Sequence, residues 1–157
     1  MKEFMLIASQ IFLAILLVYA AVSDLRFRII PNWLNGSVAL LVLPYWIGLG
    51  LAPWPAMAIQ IALALGVLAV FAAMFALGAI GGGDVKLLAA LALWLPAGAL
   101  LRLLLLMAVI GGVIAVITLA HHRARRLPGQ PEVPYGVAIA IAAFWVLGQP
   151  FLNHFGA

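Results

Sequence analysis

Long apolar runs dominate the chain, and short segments rich in glycine, proline or charge separate them. The runs lack the apolar–polar alternation of membrane strands, and about 20 apolar residues suffice for a helix to cross a bilayer. On that measure we predict six spans, at residues 4–22, 36–52, 55–80, 84–96, 98–120 and 134–152. Because backbone polar groups in hydrocarbon must bond within the chain, the pattern predicts an all-α, polytopic integral membrane bundle.

The fourth and fifth spans lie in one nearly continuous apolar run, residues 84–120, which is too long for a single helix. Pro96 and Gly98 form the breaker pair at which we divide it. The fourth span is then short, and we expect it either to be buried among its neighbours or to lie where the bilayer thins. Residues 52–55 predict a tight reversal. Since no internal repeat is evident, we expect a single domain, 1–157.

Composition and charge agree with this class and give an orientation. Of the 157 residues, 68% are hydrophobic and 8% are charged, which is typical of an integral membrane protein. Basic residues gather after spans one, three and five: Arg26, Arg28, Lys86, Arg123, Arg125 and Arg126. The positive-inside rule then places these connections in the cytoplasm and both termini on the other side. Basic loops of this kind suit contact with membrane lipid and are a weak signal for nucleic acid, so we expect no nucleic-acid partner.

Acidic residues are scarce: the chain has Glu3, Asp24, Asp84 and Glu132. Asp24 follows span one and Asp84 begins span four, so an out-and-back pair of spans brings them to the same membrane face. Each has a structural interpretation, Asp84 as a helix N-cap and Asp24 as an interfacial residue paired with Arg26 or Arg28. Together they fit a catalytic dyad, in which one carboxylate takes a proton from water and the other donates to the developing oxyanion.

Three glycines, Gly81, Gly82 and Gly83, directly precede Asp84. Without a Cβ they tolerate positive φ and allow another backbone to approach closely, which suits an extended substrate lying against a catalytic carboxylate. A tightly packed helix connector would use such a run equally well. Lys86 has two interpretations as well: it favours the ionised form of the neighbouring acid, or it is a basic anchor at the cytoplasmic interface.

Two proline-containing segments flank other predicted spans. Pro31 and Asn32 are expected to turn the chain into span two and so to support the first aspartate. Pro134, Tyr135 and Gly136 begin span six at the same membrane face. The Tyr135 hydroxyl contacts the dyad or a substrate in one interpretation, and the segment only starts a helix in the other.

Neither metal nor thiol chemistry is expected. The chain has no cysteine, which excludes disulfides, thiolate metal ligands and a cysteine nucleophile. The adjacent His121 and His122 do not share a helix face and have no third ligand nearby, so a basic loop is the favoured interpretation.

Three segments resemble the signature blocks of the prepilin peptidases, which are membrane aspartic proteases of the Gly-x-Gly-Asp class. They read SDLRFRIIPNWLN around Asp24, GGGDVKLLAALALWL around Asp84 and VPYGVAIA at 133–140. The resemblance implies that the two aspartates are the catalytic pair and that Gly81 and Gly83 are the glycines of the motif. It implies a protease of the inner membrane that removes a short basic leader from pilin-type precursors at the cytoplasmic face.

The chain lacks the cysteine-containing region of the bifunctional members, so it resembles the small peptidase-only members that serve tight-adherence (Flp-type) pili. No N-methyltransferase activity, cofactor or metal is then expected. The expected partner is a precursor with a basic leader and a hydrophobic N-terminal helix, and a homo-oligomer is left open. Either Glu132 contacts the leader, or recognition rests on the apolar helix. A proton-coupled transporter or channel component and a non-enzymatic scaffold are the alternative functions.

Overall fold

The computed structural model describes residues 1–126 and 133–155, with side chains as far as residue 149. The described residues form seven α-helices: α1 (Lys2–Phe27), α2 (Asn32–Leu40), α3 (Val42–Leu49), α4 (Ala58–Ala76), α5 (Gly82–Ala92), α6 (Ala97–Ala124) and α7 (Tyr135–Phe155). Three stretches are long and apolar enough to cross a membrane, Lys2–Phe27, Pro53–Ala76 and Ala97–Ala124. The all-α membrane fold is thus confirmed, whereas the number of spans and the side of the termini stay predictions.

Each predicted span has a helical counterpart, and the second is divided into two. α2 and α3 are separated by a turn at Leu41. Pro44 lies just after this turn, and because proline has no N–H it cannot bond the carbonyl of Leu40. The span also begins earlier than predicted, at Asn32, directly after the N-cap residue Pro31.

The reversal predicted at residues 52–55 is confirmed. Gly50 ends α3 in the left-handed conformation, with φ of 67°. Pro53–Met57 then form a wide turn in which Trp54 is extended, and the Met57 N–H donates to the Ala52 carbonyl oxygen at 3.1 Å. From this turn α4 runs antiparallel to α5, on which it packs, because Gln60 near its start bonds carbonyls beyond the end of α5 and Phe75 near its end packs on Gly82.

The short helix α5 lies at the centre of the bundle, in contact with α2, α4 and α7. Its buried residues are Asp84, Val85, Leu87, Leu88, Ala90, Leu91 and Ala92. Of the two explanations for a short fourth span, burial among its neighbours is therefore the one observed.

Side chains of α3 and α4, which come much earlier in the chain, donate hydrogen bonds to the carbonyl groups just beyond the end of α5. Gln60 Nε2 donates to the carbonyl oxygens of Leu93 and Leu95, at 3.3 and 3.0 Å. Trp46 Nε1 also donates to the Leu93 oxygen, at 3.1 Å. Since free carbonyls are costly in a membrane interior, these donors allow α5 to end at Ala92 instead of continuing.

Candidate active site

Two buried carboxylates face one cavity, where the C-terminal end of α1 meets the N-terminal ends of α5 and α7. Asp24 is 5% exposed and Asp84 is 8% exposed. Both line a cavity of about 430 Å³, and they are close enough for their charges to repel each other. The other residues that line the cavity are Arg28, Gly78, Ala79, Ile80, Gly81, Val133 and Tyr135. The structure thus brings together the two aspartates on which the sequence interpretation depended.

Asp24 lies in the last turn of α1 and faces the start of α7. The helix ends because Arg28 adopts the left-handed conformation, with φ of 55°, and donates its backbone N–H to the Asp24 carbonyl oxygen at 3.0 Å. The backbone N–H groups of Gly136 and Val137 lie beside the Asp24 carboxylate. These groups form the positive end of α7, so the helix terminus favours a negative charge at this place.

Gly136 is the point of closest approach between α7 and the end of α1. A Cβ at this position would lie 2.9 Å from Asp24 Oδ2 and 2.8 Å from Ile30 Cδ1. No side chain therefore fits here without displacing its neighbours. Glycine is therefore required at this position near the start of span six, because it allows α7 to pack directly against Asp24.

Asp84 is the third residue of α5 and folds back over the start of its own helix. Gly81 is the N-cap residue, and its N–H lies beside the Asp84 carboxylate. This is half of a capping box, so the sequence-based N-cap interpretation identified the right helix end but the wrong residue. Asp84 Oδ1 is left without a hydrogen-bond partner among the described residues.

The glycine run allows close packing, as predicted, but the partner is the protein's own chain. A Cβ at Gly83 would lie 3.0 Å from Ile30 Cβ and 3.1 Å from the Ile30 carbonyl oxygen, whereas one at Gly82 would meet only the Phe75 ring, at 3.3 Å. Gly81 has φ of −74°. The positive φ in this connection is at Gly78, with 72°, so the run itself does not use the conformational freedom of glycine.

Ile30 links the elements that carry the two aspartates. Its backbone and Cβ face Gly83, and its Cδ1 faces Gly136. The segment that carries it is held by Ser23, whose Oγ donates to the Ile29 carbonyl oxygen at 2.7 Å. The sequence interpretation did not single out Ile30, since one isoleucine among many gives no signal of such a position.

Asn35 is a second residue that the sequence interpretation missed. Its side chain is 5% exposed, and Nδ2 donates to the Gly83 carbonyl oxygen at 3.2 Å. The bond fixes the residue directly before Asp84. A signal was present, because Asn35 is a polar residue inside an apolar helix, three positions after Asn32 and hence on the same helix side.

Lys86 and Asn32 pair with each other, and neither is among the residues that line the described cavity. Lys86 Nζ donates to Asn32 Oδ1 at 2.7 Å. Pro31, with φ of −64° and ψ of 146°, positions Asn32 as the first residue of α2. Pro31 and Asn32 thus begin the helix of span two, as expected, whereas the bond from Lys86, which joins α5 to α2, was part of neither interpretation of that lysine.

The remaining predicted residues lie before or at the start of α7. Tyr135 lines the cavity, and its ring packs against Gly111 of α6, where a Cβ would lie 3.1 Å from Tyr135 Cε1. Pro134 is buried immediately before the helix. Glu132 lies outside the described residues.

The fold and the site together define a multi-pass helical membrane protein with a paired-carboxylate cavity at one end of the bundle. A sequence model of the type IV leader peptidase family matches residues 11–116, which is more than half of the chain, and the protein belongs to this family. It is accordingly a membrane protease of the leader peptidase type, whose substrates are in general pilin precursors. No curated protein and no solved structure gave a match. The matched range contains both aspartates and ends before Tyr135.

Proposed function

We propose that the protein is an aspartic endopeptidase that removes the short basic leader from Flp-type pilin precursors, with Asp24 and Asp84 as the pair that activates water. One observation carries the proposal. The two carboxylates come from different helices, face one cavity, and each has an oxygen without a hydrogen-bond partner among the described residues. Burying such groups is costly, and a structural role would not need unpaired oxygens.

The chemistry requires one ionised and one protonated carboxyl group, and mutual repulsion of neighbouring carboxylates supplies that state. The ionised group takes a proton from water as the water oxygen bonds to the peptide carbonyl carbon. The protonated group gives its proton to the developing oxyanion. As the C–N bond breaks, the proton taken from water passes to the leaving nitrogen, and a hydroxyl of the tetrahedral intermediate returns a proton to the other carboxyl group, so the pair regains its starting state. The leader ends in a carboxylate and the mature protein begins with an amine. The pair titrates as a unit, so no single role is assigned to either aspartate.

The cavity and its surroundings fit a peptide substrate. Its volume of about 430 Å³ lies within the range of small-ligand sites, roughly 300–1,000 Å³, which is enough for a few residues of extended chain. Arg26 and Arg28 lie at the same end of α1 as the site, so the positive-inside rule supports a cytoplasmic active site in the inner membrane. Two carboxyl groups and water complete the hydrolysis, so the proposal includes neither a metal nor methyl transfer.

Coexpression with candidate precursors tests the proposal through leader removal. Asp24→Asn and Asp84→Asn keep the size of the side chain and remove its acid–base function, so each is expected to slow cleavage by about 10²–10⁴-fold. Glu3→Gln is the matched control, because Glu3 is exposed in the first turn of α1, at the opposite end of that helix. Membrane insertion is measured in parallel. If either aspartate variant inserts normally and cuts at the wild-type rate, the dyad is wrong.

A further inference from the structure

Helix α4 stands at the edge of the bundle and leaves a groove beside it. It packs on α5 and the preceding turn and, in the described part of the chain, has no extensive contact with α6. Only Ala64 and Val67 of α4 are buried. The space between α4 and α6 is an apolar groove of about 460 Å³. Its lining includes Ala62, Gly66, Val70 and Phe71 of α4, and Leu100 and Leu104 of α6.

The groove lies between two helices that each contact a residue in or next to the wall of the carboxylate cavity. On one side, Phe71 lies one helical turn before Phe75, whose ring packs on Gly82. Gly82 adjoins Gly81 in the wall of the cavity. On the other side, Gly111 of α6 packs against Tyr135, which lines the cavity.

We propose that this groove binds the hydrophobic N-terminal helix of the precursor, an inference that rests on the proposed function. The bond to be cut directly precedes that helix, so the helix must start at the cavity and continue through the membrane. From Ile59 to Phe75, α4 rises about 24 Å, which is close to the hydrocarbon thickness of about 30 Å. Ala62 and Gly66, one turn apart, would let the backbones of the two helices approach closely.

A second groove provides the comparison. It has a similar volume, about 450 Å³, and lies between α2, α4 and α5 with Gly36 in its lining. It contains the Asn32–Lys86 pair, which does not line the described cavity. A substrate helix in this groove would therefore be directed to the pair and away from the carboxylates.

Two substitutions fill the grooves separately. A Cβ at Gly66 or at Gly36 would meet no atom within 4 Å, so a side chain can begin at either position without a clash; thermal unfolding of Gly66→Leu and Gly36→Leu checks that the rest of the leucine is accommodated. We expect Gly66→Leu to lower kcat/KM for the full precursor by at least about tenfold, and Gly36→Leu to leave it near the wild-type value. A soluble peptide that ends shortly after the cut lacks the helix, so both variants should cleave it at the wild-type rate. Wild-type cleavage of the full precursor by Gly66→Leu would overturn the proposal.

Crosslinking gives an independent measurement, because the chain has no cysteine of its own. Gly66→Cys, combined with Asp84→Asn to keep the precursor uncut, should form a disulfide with a single cysteine placed in the precursor's apolar helix. Gly36→Cys is the control. Crosslinking at position 36 alone, or at neither position as expected if lipid fills the groove, overturns the proposal. If the aspartate variants abolish cleavage while the groove variants have no effect, the protease assignment stands and the docking site is wrong. A wild-type protein that cuts no precursor overturns both.

Discussion

Gly136 gives the sharpest test of how the carboxylate pair is held. A methyl group here would lie 2.8 Å from Ile30 Cδ1, 2.9 Å from Asp24 Oδ2 and 3.0 Å from Asp24 Cβ. Contacts this short cannot persist, so either α7 or Asp24 must move. Overpacking of this kind costs about 1–3 kcal/mol, and a shift of about 1 Å in a catalytic group slows a reaction by about 10²-fold. We therefore expect Gly136→Ala to remain folded but to cut precursors about 10- to 100-fold more slowly.

Purified protein in detergent or vesicles allows the loss of stability and the loss of cleavage rate to be measured separately. Initial rates of leader removal report on the site, and thermal unfolding reports on stability. Gly148→Ala is the matched control on the same helix, because a Cβ there would meet no atom within 4 Å. Since alanine is the better helix former by about 1 kcal/mol, that control should be at least as stable as the wild type and equally active.

A second substitution identifies the contact responsible. Ile30→Val removes Cδ1, the atom nearest to the added methyl group, at its own cost of about 0.5–1.5 kcal/mol. In the Gly136→Ala background it should restore part of the lost stability, while the clash with Asp24 keeps the rate low. The reasoning is refuted if Gly136→Ala cuts at the wild-type rate, or if its loss of activity only follows the loss of folded protein.

Two further predictions concern the helix that carries Asp84. Gly83→Ala should lower the unfolding temperature more than Gly82→Ala, because the first methyl group meets the Ile30 backbone and the second only an aromatic ring; equal unfolding temperatures would contradict this packing. Gln60→Leu removes a donor from two carbonyls beyond the end of α5 and should cost about 1–3 kcal/mol of stability. Activity per folded molecule should not change, and a selective loss of activity would show that the site depends on Gln60.

The fold class was predictable because so apolar a chain must satisfy its backbone hydrogen bonds within the membrane, and few folds do so. The points at which helices break or end inside the apolar runs were harder to predict. Pro44 marks the break between α2 and α3, yet a single proline inside an apolar run is compatible with a continuous span. The early end of α5 depends on Gln60 and Trp46, which come from other helices. Pro96 predicts a break in this run, but no local pattern predicts that α5 ends as early as Ala92.

The two aspartates of the candidate site could be predicted from the sequence, since acidic residues at the edge of a membrane span are rare. The contacts that hold Asp24 and Asp84 could not. Ile30 serves both sides of the site, but its role depends on three elements meeting in space. Asn35 did carry a signal, because a buried amide in an apolar helix needs a partner. That partner, the Gly83 carbonyl, is known only from the structure.

The surroundings of the two aspartates connect the packing with the proposed chemistry. Gly136 and Gly81 bring backbone, with its N–H groups, directly against the Asp24 and Asp84 carboxylates. Asp24 Oδ2 and Asp84 Oδ1 accept no hydrogen bond among the described residues, and leaving a buried polar atom unpaired costs about 1–3 kcal/mol. Firmer hydrogen bonding would stabilise the protein but would occupy the oxygens that the proposed reaction requires for water and the peptide. Glycine at both contacts resolves this conflict, because close backbone packing and backbone N–H groups hold each carboxylate while Asp24 Oδ2 and Asp84 Oδ1 keep no hydrogen-bond partner among the described residues.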